Sequence, residues 1–323
     1  MVFNKDKYWN ILEQSSVVTI VTCAPRPGTD FLHSLLDYHD QIITFDGWLF
    51  FHDFYQKSIS VNYTKRFSLG VNGVNYDKIK INNINAKNFF YEFAWNWLHK
   101  FDSRYDNLEK KGELGISGKE YNFINIDDFV SYAVELISNK PFSSRNALLA
   151  VYGAYALAKG EDLSKKKILL HCVHLIEKVE SLANDFPDLK VIACMRDPRV
   201  LPSKVAVYRT FIPISSEKIW SFNSFLIKTL DNISELNTTD IDIRINVIEN
   251  LHQNPIANMK KICQWLSIDY KDSMLESTWN GKAWKNDMLS IESHYKTFDV
   301  RRYEDSKRKW RDDAFFIETL VMC

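Results

Sequence analysis

Two arginines, a histidine and a short glycine-containing turn carry the chemistry of this sequence. The run Val17-Val18-Thr19-Ile20-Val21-Thr22-Cys23 breaks at once into Ala24-Pro25-Arg26-Pro27-Gly28-Thr29, after which Phe31, Leu32, Leu35 and Leu36 recur at helical spacing. A strand that turns through Pro and Gly straight into a helix gathers backbone N–H groups at a positive helix end. That suits a phosphate, and Arg26 adds a charged fork. The same residues read equally as an ordinary turn with a surface arginine, so the loop alone leaves both readings open. Arg196 follows the apolar strand Leu189 to Met195. Ligands of parallel sheets bind outside the carboxyl ends of the strands, and a guanidinium there suits phosphate. His174 lies just past the strand Lys167 to Cys172, 22 residues before Arg196, near the same crevice. An imidazole titrates near neutrality and can take a proton. Asp46 ends the second strand and is the rival acceptor, although it needs burial to raise its pKa and Asp46-Gly47 also reads as a plain turn.

The nucleoside-triphosphate loop GxxxxGK[ST] is missing. Gly118-Lys119 is followed by Glu120, and Gly281-Lys282 by Ala283.

The elements that must position these groups follow from periodicity. Strands are expected at Val17 to Cys23, Gln41 to Phe45, Lys167 to Cys172, Leu189 to Met195 and Arg244 to Ile248. Helices are expected over Phe31 to Leu36, Leu175 to Asn184, Ile219 to Leu236 and Ile256 to Leu266. From about 48 to 163 the patterns are mainly helical (Asn88 to Phe101, Asp127 to Ile137, Phe142 to Lys159) and rich in aromatic residues. The reading is one α/β domain over 1–323, a mostly parallel central sheet with helices on both faces, and a helical substrate-side insertion over the carboxyl edge.

Composition bounds the function. The 323 residues carry 41 basic and 41 acidic side chains, so no sequence-wide positive field recruits nucleic acid. The hydrophobic share of 46% is enough for a sizeable core. The first residues lack the apolar core and cleavage site of a secretory signal, and the apolar runs fall short of the roughly 20 residues that span a bilayer. Five cysteines without a CxxC pair point to a reducing cytoplasm rather than to disulfides or a zinc ribbon.

CAPRPGTDFLHSLLDYHDQI, Cys23 to Ile42, resembles the first signature of sulfotransferases that use 3′-phosphoadenosine 5′-phosphosulfate. VIACMRDPRVLPSK, Val191 to Lys204, resembles their second. RINVIENLHQNPIANMKKICQWLSI, Arg244 to Ile268, is similar to their late strand and helix. Asn280 to Lys285 resembles the terminal loop that closes over the nucleotide, and SKRKW, Ser306 to Trp310, the tail. The motifs stand in the family's order, and the insertion matches none of them.

That resemblance implies the P-loop-like sulfotransferase fold. It implies transfer of a sulfuryl group from 3′-phosphoadenosine 5′-phosphosulfate to a hydroxyl acceptor, leaving adenosine 3′,5′-bisphosphate, with no metal required. Arg26, Pro27, Gly28, Thr29 and Asp30 would form the 5′ loop, with Arg26 on the reacting oxygens. Arg196 and Ser203 would grip the 3′-phosphate, and Gly281, Lys282, Trp284 and Lys285 would close the nucleotide site. His174 would be the base, with Asp46 standing where other branches place a Glu. His52, Asp53 and His171 are read as acceptor-site lining. The aromatic insertion suits a carbohydrate or another small hydroxyl compound. Pro27 replaces the usual Ser, Asp30 a Ser/Thr, and Cys172 the Lys two residues before the base. These departures keep open a catalytically inactive nucleotide-binding module and, less favoured, a nucleotide-dependent phosphotransferase.

Overall fold

Alternation along the apolar runs decides the architecture. The computed structural model describes residues 3–23, 27–45, 47–59, 86–98, 124–196 and 240–284, together with helical positions 227, 230, 231, 234 and 235. Five strands, β1 (Ser16–Thr22), β2 (Ile42–Thr44), β3 (Ile168–Leu170), β4 (Lys190–Met195) and β5 (Asp242–Val247), form one parallel sheet in the order β2-β3-β1-β4-β5. Its register sets Val17 opposite Leu169, Thr22 opposite Cys194 and Cys194 opposite Asn246. The expected class is the observed one. Strand β1 sits in the middle: the chain builds β2 and β3 on one side of it and then crosses to β4 and β5 on the other, so a crevice opens beyond its carboxyl end.

Successive side chains take opposite faces of a strand. Val17, Val21, Ile43, Leu169, Val191 and Ala193 enter one core, while Val18, Ile20, Ile42, Leu170, Ile192 and Cys194 enter the other. The first face is covered by α1 (Lys5–Gln14), α3 (Phe51–Ile59), α4 (Ala86–Trp97), α5 (Ile126–Ile137), α6 (Ser144–Ala158) and α7 (Val179–Asp185). The second is covered by α2 (Thr29–Leu36), α8 (Ile248–Gln253) and α9 (Pro255–Leu266). The helices of the 48–163 stretch thus share a core with the sheet.

Three elements differ from expectation. Helix α1, capped by the Asn4 side chain on the Lys7 N–H, was hidden by its charged residues, yet Tyr8, Trp9 and Leu12 align on one buried face. Helix α3 was hidden by its mixed composition. The stretch expected as one helix from Leu175 is a 3-10 turn, Ile176–Lys178, leading into α7. A short hairpin, β6 (Thr278–Trp279) and β7 (Lys282–Ala283), completes the described chain.

Candidate active site

Gly28 makes the turn out of β1 possible. It is the left-handed N-cap of α2, φ 85°, and a Cβ there would stand 2.6 Å from Ile248 Cδ1 at the start of α8. Glycine is required both by conformation and by the approach of α8. The turn aims the first N–H groups of α2 toward the carboxyl edge of the sheet, where they have no intrahelical partners. Pro27 is buried behind it. Thr29, the first helical residue, is 3% exposed.

His174 arrives at the same edge from the neighbouring strand. Its N–H donates to the Ile20 carbonyl (3.1 Å) and its carbonyl accepts from Thr22 N–H (2.8 Å), so the segment after β3 stays clipped to β1. Between these bonds the backbone turns left-handed, φ 62°, a conformation sparsely used by non-glycine residues. The turn aims the imidazole at α2, where Nδ1 lies 3.4 Å from Thr29 Oγ1. The Trp48 ring stands beside it, centroids 6.3 Å apart, and leans in turn on Phe50 and Trp97.

Arg196 follows β4 on the other side of β1. Its Nε lies 3.8 Å from Glu249 Oε1, a carboxylate 8% exposed in the first turn of α8. His174 and Arg196 therefore flank β1: His174 stands opposite Val21, and Arg196 comes three residues after Ala193, the β4 partner of Val21. Three fully buried thiols, Cys23, Cys172 and Cys194, lie near the strand ends between them. Burial pushes the Cys23 thiol up to about 12. Burial chiefly, then Cys23 and Cys172, and to a smaller extent Asp30, raise that of Cys194 against the hydrogen bond from Asn246. Raised in this way, Cys23 and Cys194 stay neutral in the core. Asp30 is the opposing feature, since its Oδ1 is buried in the first turn of α2 with no hydrogen-bond partner among the described residues.

The other expected site residues are distributed elsewhere. His171 is on the strand face opposite the α2 side. It is fully buried against α6 with Nδ1 2.9 Å from the Tyr152 hydroxyl. His52 Nε2 meets Asp185 Oδ2 at 2.9 Å, and Asp53 pairs with Lys178 at 2.8 Å, so both tie α3 to the α7 region. Burial raises the Asp185 carboxyl, but hydrogen bonds from His52 and Ser144 outweigh it and hold it below the usual range. Gly281, φ 71°, donates its N–H to Asp37 Oδ2 (3.0 Å), and a Cβ on it would lie 2.8 Å from the Tyr38 ring. Asp37 caps the far end of α2, so the hairpin tip lies about 12 Å of helix away from Thr29. Trp284 is buried edge-on against Trp279, 5.5 Å between centroids, and Lys282 pairs with Trp279 in the hairpin. Arg26, Asp46, Ser203 and Lys285 lie outside the described residues.

Sequence reasoning did not single out Glu249 or Trp48. The signal for Glu249 was a strand running without a loop into a helix, which lifts that helix's first carboxylate to the sheet edge. The assembled groups, a helix N-terminus with a hydroxyl, an imidazole and a guanidinium, can hold an anion and receive a proton beside it. Among the described residues no cluster of three His, Cys, Asp or Glu could hold a metal ion.

Comparison with known proteins returns a family model, described as "Sulfotransferase family", over residues 19–272. Among solved structures, the chain is similar to a sulfotransferase domain of the Synechococcus PCC 7002 olefin synthase, at 14% identity and TM-score 0.49, covering 96% of this chain and 94% of that one. It is also similar to a sulfotransferase domain of the curacin biosynthetic pathway, at 12% identity and TM-score 0.49, covering 95% of each. A sulfotransferase from Mycobacterium avium, STF9, aligns at 13% identity and TM-score 0.36 over 94% of this chain and 78% of that one. No curated protein sequence matches.

Proposed function

This chain belongs to the sulfotransferase family, and on that premise we propose that it moves a sulfuryl group from 3′-phosphoadenosine 5′-phosphosulfate to a hydroxyl acceptor. The acceptor is a carbohydrate or another small hydroxyl compound. The donor's 5′ end rests on the Gly28-Thr29 turn and the N-terminus of α2, with Arg26 on its oxygens. Arg196 holds the 3′-phosphate. The acceptor oxygen attacks sulfur in line, the bond from sulfur to the bridging oxygen breaks, and its electron pair leaves with the 5′-phosphate. The acceptor's proton passes to His174, which we assign as the base ahead of Asp46.

The observation that carries this reading is the juxtaposition of His174 with Thr29, Nδ1 to Oγ1 3.4 Å, across 145 residues of chain. It sets an imidazole beside the helix end that suits an anion. The competing reading, an inert nucleotide-binding module, draws on the carboxylate oxygen of Asp30 at that helix end, which has no hydrogen-bond partner among the described residues.

Titration calorimetry with adenosine 3′,5′-bisphosphate, followed by radiolabelled transfer to a panel of hydroxyl acceptors, tests the assignment. His174→Gln is expected to keep nucleotide affinity within threefold and to lower kcat by about a hundredfold or more. Nucleotide binding without transfer to any acceptor supports the inert module. Preference for magnesium-ATP over the bisphosphate overturns sulfuryl transfer.

A further inference from the structure

The contact between Thr29 and His174 has a proton-counting property that bears on when the base is competent. A threonine hydroxyl carries one hydrogen, and a neutral imidazole carries one on either Nδ1 or Nε2. One hydrogen must lie between Oγ1 and Nδ1 for them to bond. If Thr29 supplies it, the imidazole's own hydrogen is on Nε2, and neither nitrogen is available as a base toward the acceptor. If His174 supplies it from Nδ1, Nε2 carries the lone pair and the Thr29 hydrogen is released to another acceptor.

Ring motion is a poor substitute for that exchange. The His174 backbone is clipped to β1 by bonds of 3.1 and 2.8 Å in a left-handed turn, and Trp48 stands against the ring. Thr29 is equally fixed, 3% exposed at the start of α2, and the contact with His174 is its one side-chain hydrogen bond among the described residues. The direction in which its released hydrogen can be used is the helix N-terminus, where an anion is favoured.

We infer that Thr29 is a positioning residue that makes His174 a base only when the donor is bound. An anionic oxygen of the donor accepts the Thr29 hydrogen, Oγ1 then accepts from Nδ1–H, and Nε2 becomes the basic nitrogen. No covalent bond to carbon, sulfur or phosphorus changes in this step; the hydroxyl rotates and the imidazole exchanges tautomers through solvent. The inference rests on the proposed donor site and on His174 as the base. It adds a cost to premature proton uptake that the bound donor removes.

The test is nitrogen NMR of protein carrying 15N-histidine, with the His174 signals assigned by their loss in His174→Gln. Without nucleotide the Nε2–H tautomer is expected to dominate, and saturating adenosine 3′,5′-bisphosphate is expected to convert it to Nδ1–H. Thr29→Val should abolish the conversion and lower kcat at saturating donor by about tenfold or more, while Thr29→Ser should restore both to within threefold. The wild-type titration decides the matter even where the valine variant is unstable. An unchanged tautomer in nucleotide-saturated wild type, with turnover lost in His174→Gln, overturns the coupling and leaves the base assignment standing. Full turnover in His174→Gln with the nucleotide bound overturns both, as does wild type that fails to bind nucleotide.

Discussion

Glu249 is placed to weaken the anion site proposed at Arg196. A carboxylate 3.8 Å from Arg196 Nε and 8% exposed neutralises part of the guanidinium that a phosphate would use. Two unit charges 4 Å apart near a protein surface interact by about 4 kcal/mol at an effective dielectric of 20, and a phosphate entering the site meets that carboxylate as a repulsive neighbour. Glu249→Gln is therefore expected to tighten adenosine 3′,5′-bisphosphate binding by roughly threefold to tenfold, a gain of about 1 kcal/mol. Weaker binding by calorimetry would mean that Glu249 serves to aim Arg196. The buried thiols of Cys23 and Cys194 need no such balance, because burial keeps them protonated.

At the scale of elements, two glycines separate stability from function. Gly28→Ala meets Ile248 Cδ1 at 2.6 Å and Cγ1 at 2.9 Å, and it must also hold the left-handed φ of 85°. That conformation costs a non-glycine residue about 1–2 kcal/mol. The variant should unfold at lower urea and bind the bisphosphate more weakly, since relief of the strain tilts the N-terminus of α2. Gly153 has no unusual φ. It lies in α6 where α1 crosses, and a Cβ would meet Leu12 Cδ1 at 2.5 Å and Leu136 Cδ1 at 3.0 Å. Overpacking of this kind costs about 1–3 kcal/mol. Gly153→Ala should lower Tm with the bisphosphate affinity unchanged; a matching loss of affinity would show that the α1–α6 packing reaches the donor turn.

Across the whole molecule, a buried charge cluster ties the far end of α2 to the sheet and the hairpin. Glu161 receives both Lys159 and Lys166 at 2.6 Å, and Lys166 also donates to the His39 and Ile42 carbonyls. Lys159 and Tyr155 donate to Asn280 Oδ1, and Asp37 accepts from Thr44, Thr278 and Gly281. Burial works against each charge here. It raises Glu161, but two ammonium groups outweigh it and hold that carboxyl below its ordinary 4.5, whereas at Lys166 burial outweighs the Glu161 and Asp37 carboxylates and lowers it from 10.5. At Asp37 burial also wins over Lys159 and the hydrogen bonds, raising the carboxyl above 3.8. A depressed carboxyl stabilises the fold above the unfolded pKa, near 4.5, and loses that contribution as pH falls through the folded value. Asp37 has the opposite sign: its contribution is complete below 3.8 and is lost as pH rises through its raised value. Lys166, lowered, contributes above its unfolded value near 10.5 and loses that contribution as pH falls through its folded value. Removing one partner of a buried pair costs about 3–5 kcal/mol. Glu161→Gln should thus show its full deficit in urea unfolding at pH 7, and the gap to wild type should narrow below about pH 4.5. A gap that stays constant down to pH 3.5 would show that the cluster does not depend on that carboxylate's charge.

Local chemistry is what this sequence determined by itself. Apolar runs of strand length, the Pro-Gly turn after β1 and the 3.6-residue spacing of α2, α5, α6 and α9 are readable because each depends on neighbours in sequence, and together they imply the parallel sheet. The expectation that His174 lies past the end of a strand has the same local origin. Helices α1 and α3 escaped because their stability comes from one face packed on distant helices rather than from their own composition. Which side of a strand His171 takes, the pairing of Arg196 with Glu249, the nearness of Trp48 to His174 and the station of Gly281 at the far end of α2 were decided by tertiary structure. Each joins residues that no spacing relates, and the packing of two helical layers on one twisted sheet is what brought Thr29 and His174 within a hydrogen bond of each other.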